Sequence, residues 1–129
     1  MKVIEIAFVG YPVTDLKRAR RFYEGTLGLT MSRSFGFENN GFVEYDIGAG
    51  TLAVANSMPE NWAGFKAQWK PGMNGGLATL EVEDFDEAIS QLRADGATFA
   101  HEPADTPVCT MAVVLDPDGN AIIIHKRKA

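Results

Sequence analysis

Cysteine is almost missing: Cys109 stands alone in 129 residues, so no internal disulfide can form and neither a CxxC motif nor a Cys-rich zinc site is available. That usage fits a reducing, cytoplasmic setting. Basic charge is also short, with 12 Lys and Arg against 17 Asp and Glu and a formal net charge of −5. The run Lys126-Arg127-Lys128 at the C-terminal end is too short to reverse this balance. A nucleic-acid partner, whose phosphates demand a clustered basic surface, is not expected. Nowhere do 18 uncharged apolar residues follow one another, so no membrane span is expected either. The start, Met1-Lys2-Val3-Ile4-Glu5, carries charges where a signal peptide needs an unbroken apolar stretch. No His/Cys or Ser/His pairing at a recognisable spacing supports nucleophilic catalysis.

What is present is ordinary globular composition, 46% apolar, enough for a packed core. Val3 to Val9 is rich in β-branched and aromatic residues and predicts a strand. A helix follows, with Thr14 or Asp15 as cap, Leu16, Ala19, Tyr23 and Leu27 on its apolar stripe, and Gly28 as its stop. Strands are predicted at Thr30 to Phe35, Gly41 to Ile47 and Thr51 to Ala55. The last two are joined through the turn residues Gly48-Ala49-Gly50. The stretch from Asn56 to Gly76 holds Pro59, Pro71, Gly72, Asn74, Gly75 and Gly76 and reads as a linker. Inside it, Trp62, Phe65 and Trp69 are spaced for one face of a short helix, as pocket wall, dimer contact or core closure.

The second half repeats the plan. Leu77 to Val82 predicts a strand, and Asp84-Phe85-Asp86-Glu87 a capping box. Phe85, Ala88, Ile89 and Leu92 form the apolar face of the helix and Gly96 its stop. Strands follow at Thr98 to His101, Cys109 to Leu115 and Ala121 to Lys126, the last two flanking Asp116-Pro117-Asp118-Gly119-Asn120. Val13-Thr14-Asp15-Leu16 matches Val82-Glu83-Asp84-Phe85 across 69 positions, each Asp lying after a strand and before a helix. Two tandem βαβββ modules therefore fill one α+β domain spanning 1–129. Module one is about 1–56, the linker 57–75, and module two about 76–129. A single module of this size would be marginal, so the pair should fold together.

Val13-Thr14-Asp15-Leu16 with Arg21-Phe22-Tyr23, Leu27-Gly28-Leu29 and Asp116-Pro117-Asp118-Gly119-Asn120 resembles the vicinal oxygen chelate superfamily. That group holds glyoxalase I, bleomycin-resistance proteins and extradiol dioxygenases. The resemblance implies curved mixed sheets forming a small-molecule cavity, and it adds to the expectation of a homodimer that two open sheets with uncovered apolar faces and edges raise. In the enzymes of that superfamily it also implies four metal ligands, and carrying their positions over gives Phe8, Ala53, Leu77 and Ile123. None of these has an oxygen, nitrogen or sulfur donor, so no metal and no cofactor is expected.

The expected ligand-binding set is Phe8, Tyr45, Ala53, Trp62, Trp69, Leu77, Thr79, Ile123 and His125, with no catalytic residue. Alternation places Leu77, Thr79 and Glu81 on one strand face and Ile123 with His125 on another. His125 also reads as a surface residue beside the basic tail, and Cys109 as a small buried hydrophobe. The expected function is metal-free binding of a small, largely apolar or aromatic molecule. Two alternatives stand beside it: a glyoxalase-like lyase, isomerase or dioxygenase with a non-standard site, and a structural or regulatory dimer with a vestigial pocket.

Overall fold

The computed structural model describes residues 2, 4–37, 39–57, 70–72, 77–107 and 109–128. The chain divides into two compact units, Met1–Pro71 and Gly72–Ala129. In the first, β1 (Val9–Pro12) leads to α1 (Leu16–Arg20), which runs straight into a π-helical turn (Arg21–Thr26). Strands β2 (Met31–Phe37), β3 (Asn40–Ile47) and β4 (Gly50–Ala55) complete it. The sheet order is β1-β4-β3-β2, with β1 parallel to β4 and the other pairs antiparallel. The second unit holds β5 (Ala78–Glu81), α2 (Phe85–Ala94), β6 (Thr98–Asp105), β7 (Cys109–Leu115) and β8 (Ala121–Arg127). Its order, β5-β8-β7-β6, and its one parallel pair repeat the first. The α+β reading of two βαβββ modules with mixed sheets holds.

Both helices start as their caps require. Asp15 Oδ1 accepts from the Arg18 amide at 3.0 Å and Asp84 Oδ1 from the Glu87 amide at 3.1 Å. Each carboxylate satisfies an amide that the first turn leaves without a partner. Leu16, Ala19, Phe22 and Tyr23 are buried along one stripe of the first helix. Gly28 at φ 72° and Gly96 at φ 74° end the two helices in the left-handed conformation that glycine adopts without strain.

One face of the first sheet packs under α1. Tyr11, Val43, Tyr45, Leu52 and Val54 are all buried there, and cross-strand register places Val43 opposite Val54 and Tyr45 opposite Leu52. Tyr23 stacks on Tyr45 with ring centroids 6.0 Å apart. The Tyr45 hydroxyl donates to Glu24 Oε2 at 2.9 Å, and Arg20 Nε donates to the same oxygen at 2.6 Å. Burial first, and the Glu24 carboxylate second, push the Tyr45 phenol well above its ordinary range, so it stays a donor.

Arg20 above all holds the Glu24 carboxyl below the ordinary glutamate value of 4.5. A carboxyl depressed by folding stabilises the native state above its unfolded value and loses that contribution as pH falls through the native one. Stability should therefore drop on acidification below about pH 4.5, and Glu24→Gln should flatten that part of the profile. Denaturant titrations from pH 7 to 3 on both proteins check this, and parallel profiles would contradict it.

The second unit is built alike. Ile89 and Leu92 of α2 are buried, as are Ala112, Val114, Ile122 and Ile124 on one face of the sheet. The β7–β8 turn is more than a reversal. Asp116 Oδ1 accepts from the amides of Asp118 at 2.9 Å and Asn120 at 2.8 Å, and Oδ2 from Asn120 Nδ2 at 2.8 Å. Asn120 Oδ1 in turn accepts from the Gly72 amide at 3.0 Å.

Two strands depart from the sequence reading by more than two residues, β1 and β6, while the other ends agree to within two. β1 is Val9–Pro12 rather than Val3–Val9, because among the described residues it is Val9–Pro12 that finds ladder partners, Leu52–Ala55 of β4. Apolar alternation alone cannot make a strand without a partner. β6 passes Pro103 and ends at Asp105 instead of His101. It lies at the sheet edge, where a missing amide is tolerated, and its pairing to β7 shifts between His101 and Ala104.

Candidate functional site

Side chains alternate along a strand, so each sheet has a second face turned away from its helix. In the first unit that face carries Phe35 opposite Phe42 and Arg33 opposite Glu44. It also carries Glu44 opposite Ala53, and Ala53 opposite Gly10. Phe8, two residues before Gly10, joins it: its ring meets Phe42 edge-on, with centroids 5.8 Å apart. Phe35 contacts Phe42 at 6.5 Å. Phe8 is 40% and Phe35 59% exposed, so three aromatic rings form a cluster that the unit itself leaves open. Ala53 is fully buried and forms part of its floor.

Beside the rings lies a charged group. Arg33 donates to Glu44 through Nε and to Asp46 Oδ1 through Nη2 at 2.8 Å, while Thr51 Oγ1 donates to Asp46 Oδ1 at 2.9 Å. Arg33 first, and Thr51 next, hold the Asp46 carboxyl below its ordinary value. The face thus offers an apolar aromatic surface flanked by two carboxylates tied to one guanidinium.

The second unit's open face is defined by register too. Thr79 lies opposite Ile123 and Ile123 opposite Val113, while Glu81 lies opposite His125 and His125 opposite Met111. Leu77, 38% exposed, immediately precedes β5 in the same alternation as Thr79. His125 Nδ1 lies 2.5 Å from Glu81 Oε1, and Glu81 Oε2 accepts from the Arg127 amide at 2.8 Å. That amide, with His125 second, keeps the Glu81 carboxyl below its usual range. The carboxylate thus orients the imidazole through Nδ1.

Phe8 and Ala53 therefore share a face in the first unit, and Leu77, Thr79, Ile123 and His125 share one in the second. Tyr45 does not belong with them. Its side chain points under α1, fully buried against Tyr23, because it sits an odd number of residues from Phe42 and Glu44. Phe35 and Phe42 are the rings that share the face of Phe8. The signal for them was in the hairpin: with Gly48 and Ala49 as a two-residue turn, Ile47 pairs with Gly50, and counting back sets Glu44, hence Phe42, on the face of Ala53. Trp62 and Trp69, with Phe65, lie outside the described residues. Among the described residues, no cluster of three or more His, Cys, Asp or Glu is placed to hold a metal.

The profile of the glyoxalase/bleomycin resistance protein/dioxygenase superfamily matches residues 5–124. The chain belongs to this superfamily. Solved structures agree on the fold. TnmS3, an antibiotic binding protein from Streptomyces sp. CB03234, superposes with a TM-score of 0.77 at 22% identity over 99% of each chain. A superfamily member from Sphaerobacter thermophilus DSM 20745 gives 0.74 at 27% identity, over 96% of this chain and 98% of its own. A glyoxalase/bleomycin resistance protein from Streptomyces sp. CB03234 gives 0.71 at 24%, over 96% and 100%. No curated protein matches.

Superfamily members bind small molecules. The metal of the superfamily's enzymes does not fit this member's residues: Phe8, Ala53, Leu77 and Ile123 present only carbon and hydrogen on the open faces. Among the described residues no helix is long and apolar enough to cross a membrane.

Proposed function

We propose that this superfamily member binds a small, largely apolar or aromatic molecule without a metal, using the open faces of its sheets. The observation that carries this is the Phe8–Phe42–Phe35 cluster: aromatic rings left 40% and 59% exposed at its two ends mark a surface built to be covered. Ligand sites pair such apolar walls with a few placed polar groups, a role open to Arg33, Glu44 and Asp46 here and to Thr79 and His125 in the second unit. The antibiotic-binding activity of TnmS3, which has the same fold, supports the reading by analogy.

The test is calorimetric titration with planar aromatic probes: acridine, 2-naphthol and flavone. Saturable binding to at least one is expected, and Phe42→Ala should weaken it tenfold or more, since loss of one stacking partner is worth about 1.4 kcal/mol. Absence of saturable binding to any probe, or unchanged affinity in the variant, would overturn the proposal.

A homodimer is the second part of the proposal. Ile4 at 81%, Ile6 at 79% and Phe8 at 40% exposure form an uncovered apolar row before β1, and symmetric pairing is the usual way to cover such a row. Light scattering at micromolar concentration should return twice the 14.0 kDa chain mass. A monomeric mass would refute this part alone.

A further inference from the structure

The first helix carries a second concavity, away from the open face of its sheet. Lys17, Arg20, Arg21 and Glu24 follow the i, i+3, i+4, i+7 spacing of a single helical stripe. They line a groove of about 810 Å3 together with Gly25 and Asn39. Asn39, from the β2–β3 turn, forms the facing rim: its Oδ1 accepts from the Lys17 amide at 2.6 Å and its Nδ2 reaches Asp15 Oδ1 at 3.3 Å. Arg21, Glu24 and Gly25 belong to the π-turn, whose Leu27 amide reaches back five residues to the Phe22 carbonyl at 2.9 Å. A Cβ built at Gly25 would meet nothing within 4 Å. Such π-helical turns recur at functional sites.

The charges in this groove are unequal. Glu24 is taken up by Arg20 and the Tyr45 hydroxyl. Asp15 caps the helix and meets Asn39. Among the described residues no carboxylate lies within ion-pair distance of Lys17 or Arg21, both exposed. Arg20 and Glu24 offset each other, which leaves Lys17 and Arg21 as the surplus cations of the groove, on a chain whose net charge is −5. The cationic character does not come with the repeated scaffold. The groove beside the matching helix start in the second unit is lined by Glu83, Asp84 and Glu87 and has no cation.

We propose that the Lys17–Arg20–Arg21 groove is a binding site for a small oxyanion, a phosphate or carboxylate group carried by a metabolite-sized molecule. The guanidinium fork of Arg21 matches the two-oxygen geometry of both groups, and Lys17 adds a compact point charge. A protein of net negative charge repels anions at long range, so capture has to rest on local groups arranged as these are. This inference does not depend on the aromatic face.

The test is an amide-resolved NMR titration at low ionic strength with pyrophosphate and, separately, citrate. Saturable shifts are expected at Lys17 to Gly25 and at Asn39, and the tighter of the two probes identifies phosphate or carboxylate as the preferred group. Lys17→Glu with Arg21→Glu should weaken binding at least tenfold while leaving aromatic-probe binding unchanged. Lys2→Glu with Lys126→Glu makes the same change in net charge elsewhere and should leave anion binding intact. Non-saturating shifts, shifts spread over the surface, or equal weakening by both double variants would overturn the assignment.

Discussion

Asp116→Ala is expected to cost the protein about 4 kcal/mol of stability, read by urea unfolding at neutral pH. The carboxylate accepts two backbone amides and the Asn120 side-chain amide, and it is itself only 4% exposed. Hydrogen bonds to a charged acceptor are worth roughly 1.5–3 kcal/mol each, and removing the acceptor takes the Asp116 bond away from fully buried Asn120. The damage extends beyond the turn, because Asn120 also holds the Gly72 amide. Asp116→Asn, which keeps one carbonyl acceptor, should recover part of the loss. A change below about 1 kcal/mol in Asp116→Ala would contradict this role, given how little net stability a domain has.

Tyr23→Ala is expected to be comparably severe, about 3–5 kcal/mol, the usual range for deleting a buried aromatic ring. Tyr23 is fully buried between Phe22, met edge-on at 5.2 Å, and Tyr45, stacked at 6.0 Å. Tyr45→Phe keeps the stack and removes only the bond to Glu24, so it should cost nearer 1 kcal/mol. Chemical denaturation of the two variants side by side checks the ordering. A Tyr45→Phe loss larger than that of Tyr23→Ala would mean that the polar bond, not the ring packing, fixes α1 on its sheet.

The fold was legible because its punctuation has local causes. Asp15 and Asp84 announce helix starts through the amides they satisfy, and Gly28 and Gly96 announce the stops through a backbone conformation other residues resist. The site was legible only in part. That Phe8 and Ile123 carry no metal-donor atom is plain from the residues themselves, since side-chain chemistry needs no coordinates. Which face Tyr45 occupies could not be read from its aromatic character, because the same alternation serves a core and a ligand surface; the register set by the Gly48–Ala49 turn decides it. The N-terminal apolar stretch reads as a strand from composition, yet among the described residues ladder pairing begins at Val9. Lys17, Arg20 and Arg21 are spaced for one helix face in the sequence, but the groove they line is visible only once the β2–β3 turn brings Asn39 beside them.

Whether the open faces of the two sheets hold a ligand is tested most directly by titrating a Phe8→His/Ile123→Glu variant with acridine, 2-naphthol and flavone beside the unaltered protein. Phe8 is 40% exposed and Ile123 stands on the face away from α2, so the new polar groups can stay hydrated. The variant should remain folded, melting within about 5 °C of the original, as a change near 1 kcal/mol implies. It should bind the aromatic probe at least tenfold more weakly. Unchanged affinity in the folded variant would show that the ligand sits elsewhere, and unfolding at ordinary temperature would show that these faces are buried core.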